Sequence, residues 1–253
     1  MPTSWDTIEG PCGHLAVHLA GAASASVVPA NLLVLCHGFP GGPDAADHLG
    51  TSLATLADRL ASETGWHVLV GCLRGVGASS GDFSLAGWLE DLRRLVDRGA
   101  ELAGGSGVWV VGFGTGGALA LCVAADDDRV RGVACMGSPA TFAAWSGDVR
   151  DMVDYARRVG VIKLPGFPPD WRAWGAAFSA LRPDQAAGQL PPRPLLVVHG
   201  ADDTEVPVAQ GRALADAAGR GAEFHVLAGA GHRLRADPRA VALLAGWLER
   251  QGP

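Results

Sequence analysis

The sequence predicts an α/β protein built on a mostly parallel, eight-stranded sheet with helices on both faces. Two observations carry that reading, and a third bounds it. Short β-prone apolar runs alternate with segments of helical spacing along most of the chain, the pattern of strand–helix–strand units. Several of those runs, among them Leu32-Leu33-Val34-Leu35 and Leu195-Leu196-Val197-Val198, are continuously apolar and stop at glycine-containing loops, as strands covered on both sides do. The chain has 253 residues, of which 48% are hydrophobic, with a mean hydropathy of +0.19. That is enough for one large core, and it excludes a disordered chain.

The elements follow in order. Trp5 to Ile8 and His14 to Leu19 read as two short strands, and Asn31 to Cys36 as a buried strand ending at His37-Gly38-Phe39-Pro40-Gly41. Asp44 can cap a helix that carries Leu49, Leu53, Leu56 and Leu60 on one face and stops at Gly65. Trp66 to Gly71 is the next strand. Ser84 opens a helix with Leu85, Trp88, Leu89, Leu92, Leu95 and Val96 facing inward, and a glycine-rich turn leads to a strand from Val108. Val130 to Met136 is another strand. The segment from about Ser138 to Gln189 then breaks the alternation, with Phe142, Trp145, Trp171, Trp174 and Phe178 spread over two or three short helices. A strand at Leu195 to His199, a helix to about Ala218 and a strand at Glu223 to Leu227 restore it. Asp237 as N-cap with Pro238 in the first helical position starts the last helix.

Composition narrows the partners. The net charge of −6 comes with both signs interspersed and no basic stripe, so nucleic acid is excluded as a partner. Cys12, Cys36, Cys72, Cys122 and Cys135 are an odd count without C-x-x-C spacing, mostly inside apolar runs, which points to a reducing, cytoplasmic setting. The opening Met1-Pro2-Thr3-Ser4-Trp5-Asp6 lacks the basic region of a signal peptide. His18, Pro29 and Asn31 interrupt the apolar stretch from Leu15 to Cys36, so two strands are expected there and no membrane span. The acidic runs Asp126-Asp127-Asp128 and Asp148/Asp151/Asp154 lack companion histidines and calcium-loop spacing; no metal or other cofactor is expected. Composition leaves the oligomeric state open.

The chain is organised around residues 108–121. The run Val108-Trp109-Val110-Val111-Gly112-Phe113 turns at Gly114-Thr115 and continues with helical spacing as Gly116-Gly117-Ala118-Leu119-Ala120-Leu121: strand, sharp turn, helix. This resembles the nucleophile elbow, G-x-S-x-G, of the α/β-hydrolase fold superfamily, in which a strained turn exposes a serine hydroxyl above the sheet. Gly114 stands at the nucleophile position here. Shifting the register to make Thr115 the nucleophile would put Phe113 in the first glycine position, and the fit is worse.

Four segments carry the resemblance in family order and span nearly the whole chain: His37-Gly38-Phe39-Pro40-Gly41, the elbow, Gly200-Ala201-Asp202-Asp203-Thr204-Glu205-Val206-Pro207, and Gly231-His232. Each falls at the carboxyl end of a predicted strand, where open α/β sheets gather their ligands. The resemblance implies an esterase or acyl-hydrolase site with His232 as general base and Asp203 as its orienter. Asp202 is the adjacent candidate for the acid. It also implies an oxyanion hole from the backbone N–H groups of Phe39 and Thr115, which needs neither side chain. It divides the chain into a core of residues 1–137 and 190–253 and a helical cap of residues 138–189, aromatic enough to roof a ligand pocket. The turn Arg74-Gly75-Val76-Gly77-Ala78-Ser79 is similar to the family's structural R-G-x-G-x-S loop, with Cys72 in place of the usual preceding aspartate. Ser138, after the sixth strand, is a turn serine with no matched motif.

Glycine has no atom that attacks, so covalent hydrolysis is disabled as the chain stands. Three functions remain open: an acyl hydrolase whose serine has been replaced, a pseudo-hydrolase binding a small apolar or acyl ligand, and an enzyme in which His232 and Asp203 activate water directly.

Overall fold

The computed structural model describes residues 4–21, 31–42, 45–145 and 147–252. Its strands are β1 (Asp6–Gly10), β2 (Gly13–Ala20), β3 (Leu32–Cys36), β4 (His67–Gly71), β5 (Val108–Phe113), β6 (Val130–Met136), β7 (Leu195–Gly200) and β8 (Ala222–Leu227). Its helices are α1 (Ala45–Thr64), α2 (Leu85–Leu102), α3 (Thr115–Asp126), α4 (Val149–Arg158), α5 (Trp171–Ala180), α6 (Pro183–Gln189), α7 (Val208–Ala218) and α8 (Pro238–Gln251), with a 3₁₀ turn at Ala143–Trp145. The strands form one sheet in the order β1-β2-β4-β3-β5-β6-β7-β8. The β1–β2 hairpin and the β2–β4 pair are antiparallel, and every later pair is parallel. The predicted sheet is therefore present, its antiparallel edge set by the two-residue turn Pro11-Cys12.

Each helix forms where periodicity and caps coincide. In α1, Leu49, Leu53, Leu56 and Leu60 are buried on one face; the expected cap Asp44 lies outside the described residues. Ser84 Oγ accepts the Gly87 N–H and starts α2, whose Leu85, Trp88, Leu89, Leu92, Leu95 and Val96 are buried as their spacing predicts. Asp237 caps α8 by accepting the Arg239 N–H, with Pro238 at the first position. Helices α1 and α8 pack together on one face of the sheet, while α2, α3, α6 and α7 are linked in succession on the other. Among the described residues, no helix is long and apolar enough to cross a membrane.

Segment 138–189 divides in two. Helix α6 packs on α3 and α7, within the layer that covers the sheet. The 3₁₀ turn and α5 meet over the carboxyl ends of the strands, joined to the core through rings. Phe39 contacts Phe83, Trp145 and Tyr155 at centroid distances of 4.9, 5.3 and 5.7 Å. Trp174 donates its indole N–H to the Phe83 carbonyl at 2.9 Å and packs edge-on against Phe178.

The turn after β4 is a rigid floor. Arg74 donates from Nε and Nη2 to the two oxygens of Asp91 at 3.0 and 2.8 Å, and its backbone N–H also reaches Asp91 at 2.8 Å. Because Asp91 is fully buried, this fork-to-carboxylate pair is what makes its charge tolerable there. Ser79 ties the same turn to Cys72 and Ala16.

Candidate active site

The acid and base lie on adjacent loops. β7 ends at Gly200, and the following turn folds so that Asp203 Oδ1 accepts the N–H groups of Glu205 and Val206 at 3.0 and 2.8 Å. Its other oxygen accepts a hydrogen bond from His232 Nδ1 at 2.8 Å, and His199 Nε2 lies 3.4 Å from that same oxygen. With Nδ1 donating, His232 Nε2 is left as an acceptor, the form a general base requires. Asp202, by contrast, is exposed, and its backbone N–H is taken by the Ala230 carbonyl. Of the two adjacent acids, the structure brings Asp203 to the histidine.

Electrostatics follow from this packing. Burial alone would raise the Asp203 carboxyl, but the adjacent His199 ring and hydrogen bonds from His232 and the Val206 N–H outweigh it and hold the carboxyl far below its usual range. Burial disfavours charged His232, yet the bond to Asp203 and the charges of Asp203 and Glu205 prevail, so its pKa is raised above the ordinary 6.5. Glu205 Oε2 stands 3.8 Å from His232 Nε2. Sequence reasoning missed this neighbour, which belongs to no motif and comes close only when the two loops meet.

Gly114 lies at the end of β5 with φ 50° and ψ −122°, a conformation that residues bearing a Cβ rarely adopt. Its N–H donates to the Met136 carbonyl at 2.9 Å. A Cβ on Gly114 would stand 3.4 Å from His232 Nε2 and 3.6 Å from its Cε1. The open space at the elbow thus faces the basic nitrogen. Thr115 begins α3 and is buried, so the strained position belongs to Gly114.

The loop after β3 presses on the elbow because Gly38 has no side chain: a Cβ there would stand 2.7 Å from the Phe113 carbonyl oxygen. That approach puts Phe39 and Thr115 on the wall of one cavity with Gly114 and His232. His37 holds the loop from below, donating from Nδ1 to the Gly38 carbonyl and accepting the Leu73 N–H at Nε2, both at 2.9 Å. Its complete burial drives its pKa down to about 4. Ser138 is buried and packed against Gly117, away from the cavity.

Space opens on both sides of Gly114 and His232. One lobe, of about 370 Å³, is walled by Phe142, Trp145, Tyr155, Pro207 and Gln210. The other, of about 310 Å³, is walled by His48, Leu49, Ser52, Arg233 and Arg235. Both share Phe39, Pro40, Gly114, Glu205 and His232. Of the five aromatics singled out in segment 138–189, Phe142 and Trp145 face the cavity, Trp174 and Phe178 are buried, and Trp171 is exposed. Within the acidic runs, Asp126 pairs with Arg93, Asp127 with Arg129 and Asp154 with Arg157, and Asp148 caps α4. Among the described residues no cluster of His, Cys, Asp and Glu is arranged to hold a metal ion.

Residues 33–243 match the family model described as "Alpha/beta hydrolase family". No curated protein matches the sequence. Among solved structures, the chain is similar to an alpha-beta serine hydrolase homologue from Coxiella burnetii, with 24% identity, 99% of this chain and 98% of that one covered, and a TM-score of 0.62. It is also similar to the esterase domain of a Rhodothermus marinus protein (20% identity, 99% and 98% covered, TM-score 0.70). A third is a Xanthomonas campestris serine hydrolase described as being without a lid (20% identity, 99% and 95% covered, TM-score 0.64).

Proposed function

The chain belongs to the alpha/beta hydrolase family, and from that premise we propose that it carries an esterase-type acyl-hydrolase site whose covalent route is closed at Gly114. The observation that supports this most is a distance: a Cβ on Gly114 would lie 3.4 Å from the nitrogen of a histidine already oriented by Asp203. A serine hydroxyl would extend from that position beside its base. With an ester bound, the N–H groups of Phe39 and Thr115 receive the carbonyl oxygen as negative charge develops on it. Nothing at residue 114 can attack, so no acyl-enzyme forms. The ligand is a small ester, acyl or apolar molecule, roofed by the part of segment 138–189 that bears Phe142, Trp145 and Tyr155. The test is Gly114→Ser, which should be labelled by a fluorophosphonate and release a burst of p-nitrophenol from p-nitrophenyl butyrate. A folded variant that is neither labelled nor active overturns the reading.

Glu205 favours a second reading. Its carboxylate lies 3.8 Å from His232 Nε2 and lines the same cavity as Gly114. A water there donates one hydrogen bond to each, its oxygen attacks the ester carbonyl carbon, and His232 takes the proton and returns it to the departing alkoxide. The oxyanion hole and binding alone leave roughly 10³- to 10⁴-fold over uncatalysed hydrolysis when a triad member is missing, and water activation by His232 adds to that background. His232→Ala should then lower hydrolysis by the Gly114 protein to that background; a rate unchanged by His232→Ala, or absence of hydrolysis across ester, amide and lactone panels, overturns this route.

A further inference from the structure

The two lobes differ in charge. The larger is walled by rings and prolines, whereas the smaller presents Arg233, Arg235 and His48 beside the shared Glu205. Arg235 is half-buried, yet among the described residues no carboxylate lies within ion-pair distance of its guanidinium. Among the described residues the other partly buried arginines are held: Arg74 by Asp91, Arg94 and Arg98 by Glu101, and Arg193 by the carbonyls of Asp127 and Val130. Withdrawing a cation from water without a partner is costly, so an inward-facing, unpaired arginine is a group with an interaction still to make. Burial and the neighbouring Arg233 charge both lower its pKa, with Glu205 offsetting only part.

We propose that the smaller lobe takes a carboxylate carried by the substrate, so that the ligand is a monoanionic ester with its apolar end among Phe142, Trp145 and Tyr155 and its carboxylate on Arg235. The planar guanidinium fork matches a carboxylate. Glu205 lines the same lobe, so Arg233, Arg235 and Glu205 together leave one net positive charge; a phosphate dianion would be over-charged there. The proposal rests on the hydrolase-type reading of the site and names the substrate class for it.

Isothermal titration calorimetry of the Gly114 protein with monobenzyl glutarate and with its neutral benzyl methyl diester tests this. The half-ester should bind about 10- to 100-fold tighter, the range of one charge-assisted hydrogen-bonded contact. Arg235→Gln should bring the two affinities to within about threefold, and Arg235→Lys should keep part of the preference. Equal affinities in the unmodified protein, a preference that survives Arg235→Gln, or no binding of either ester overturns the proposal. The unmodified protein alone decides the first and last outcomes, whatever the variants' stability. Fluorophosphonate labelling of Gly114→Ser separates the two failures: labelling without a carboxylate preference sinks the substrate class and leaves the hydrolase reading standing.

Discussion

The two halves of the candidate site are finished to different degrees. Around Asp203 both carboxylate oxygens are engaged by hydrogen bonds, and the histidine they orient is left with its basic nitrogen free to accept. At the elbow the backbone turn is formed and Gly114 carries no side chain. The difference shows what each half depends on. The acid–base half is made of side chains and disappears when one is changed. The elbow is shaped by close backbone approaches, of Gly38 to the Phe113 carbonyl and of Gly116 to the carbonyls of Cys36 and His37, and keeps its turn with no side chain at 114.

Completing the empty half gives the largest expected effect. Gly114→Ser should raise the turnover of a p-nitrophenyl ester toward the roughly 10⁶-fold that separates a full triad from one without its nucleophile. A stopped-flow burst measures it, and a rise of less than about tenfold would mean that the two halves are not in register.

Breaking the finished half comes next. In the Gly114→Ser background, Asp203→Asn should lower kcat by about 10⁴-fold, because an amide neither fixes the imidazole tautomer nor stabilises the imidazolium. The pH profile adds a sign. His232 must be neutral to act as base, and its pKa is raised, so kcat/KM should climb with pH along a limb centred above 6.5. Glu205→Gln removes one of the charges responsible and should move that limb to lower pH. A limb centred below 6.5 would mean that burial prevails over the two carboxylates.

How much of this is legible in the sequence depends on how local each signal is. The Ser84 and Asp237 caps and the leucine faces of α1 and α2 are written within a few residues, as are the four segments at the strand ends. The choice between Asp202 and Asp203 is a matter of turn geometry, and two adjacent aspartates look alike until the loop closes on His232. Glu205 and Arg235 are more distant still: being near His232, or lacking an acidic partner, is a tertiary fact. The aromatic residues of segment 138–189 mislead for a related reason. A ring that lines a cavity and one that packs beneath it, as Trp174 does on Phe83, have the same composition. Helix α6 likewise belongs to the sheet-covering layer although its sequence continues the segment before it.

The turn itself can be tested by moving the added carbon. Alanine at 116 would drive its Cβ into the His37 carbonyl, where no side chain can yield, so Gly116→Ala should cost about 3 kcal/mol in urea unfolding. A smaller loss would show that the β3 loop can retreat from the elbow.

The smallest effect is the stability change of the substitution that produces the largest gain in rate. A Cβ at 114 meets only ordinary contacts, 3.4 Å to His232 Nε2 and 3.8 Å to the Gly38 Cα, so crowding is not the obstacle. The obstacle is φ 50°, which glycine adopts freely and serine does not. Gly114→Ser should therefore unfold at lower urea by about 1–3 kcal/mol while it gains activity. An unchanged midpoint would mean that the backbone relaxes on substitution, and the added hydroxyl would then sit away from His232, with a correspondingly small burst. Stability and rate should move in opposite directions at this one residue, because the turn that presents a nucleophile is the turn that favours having none.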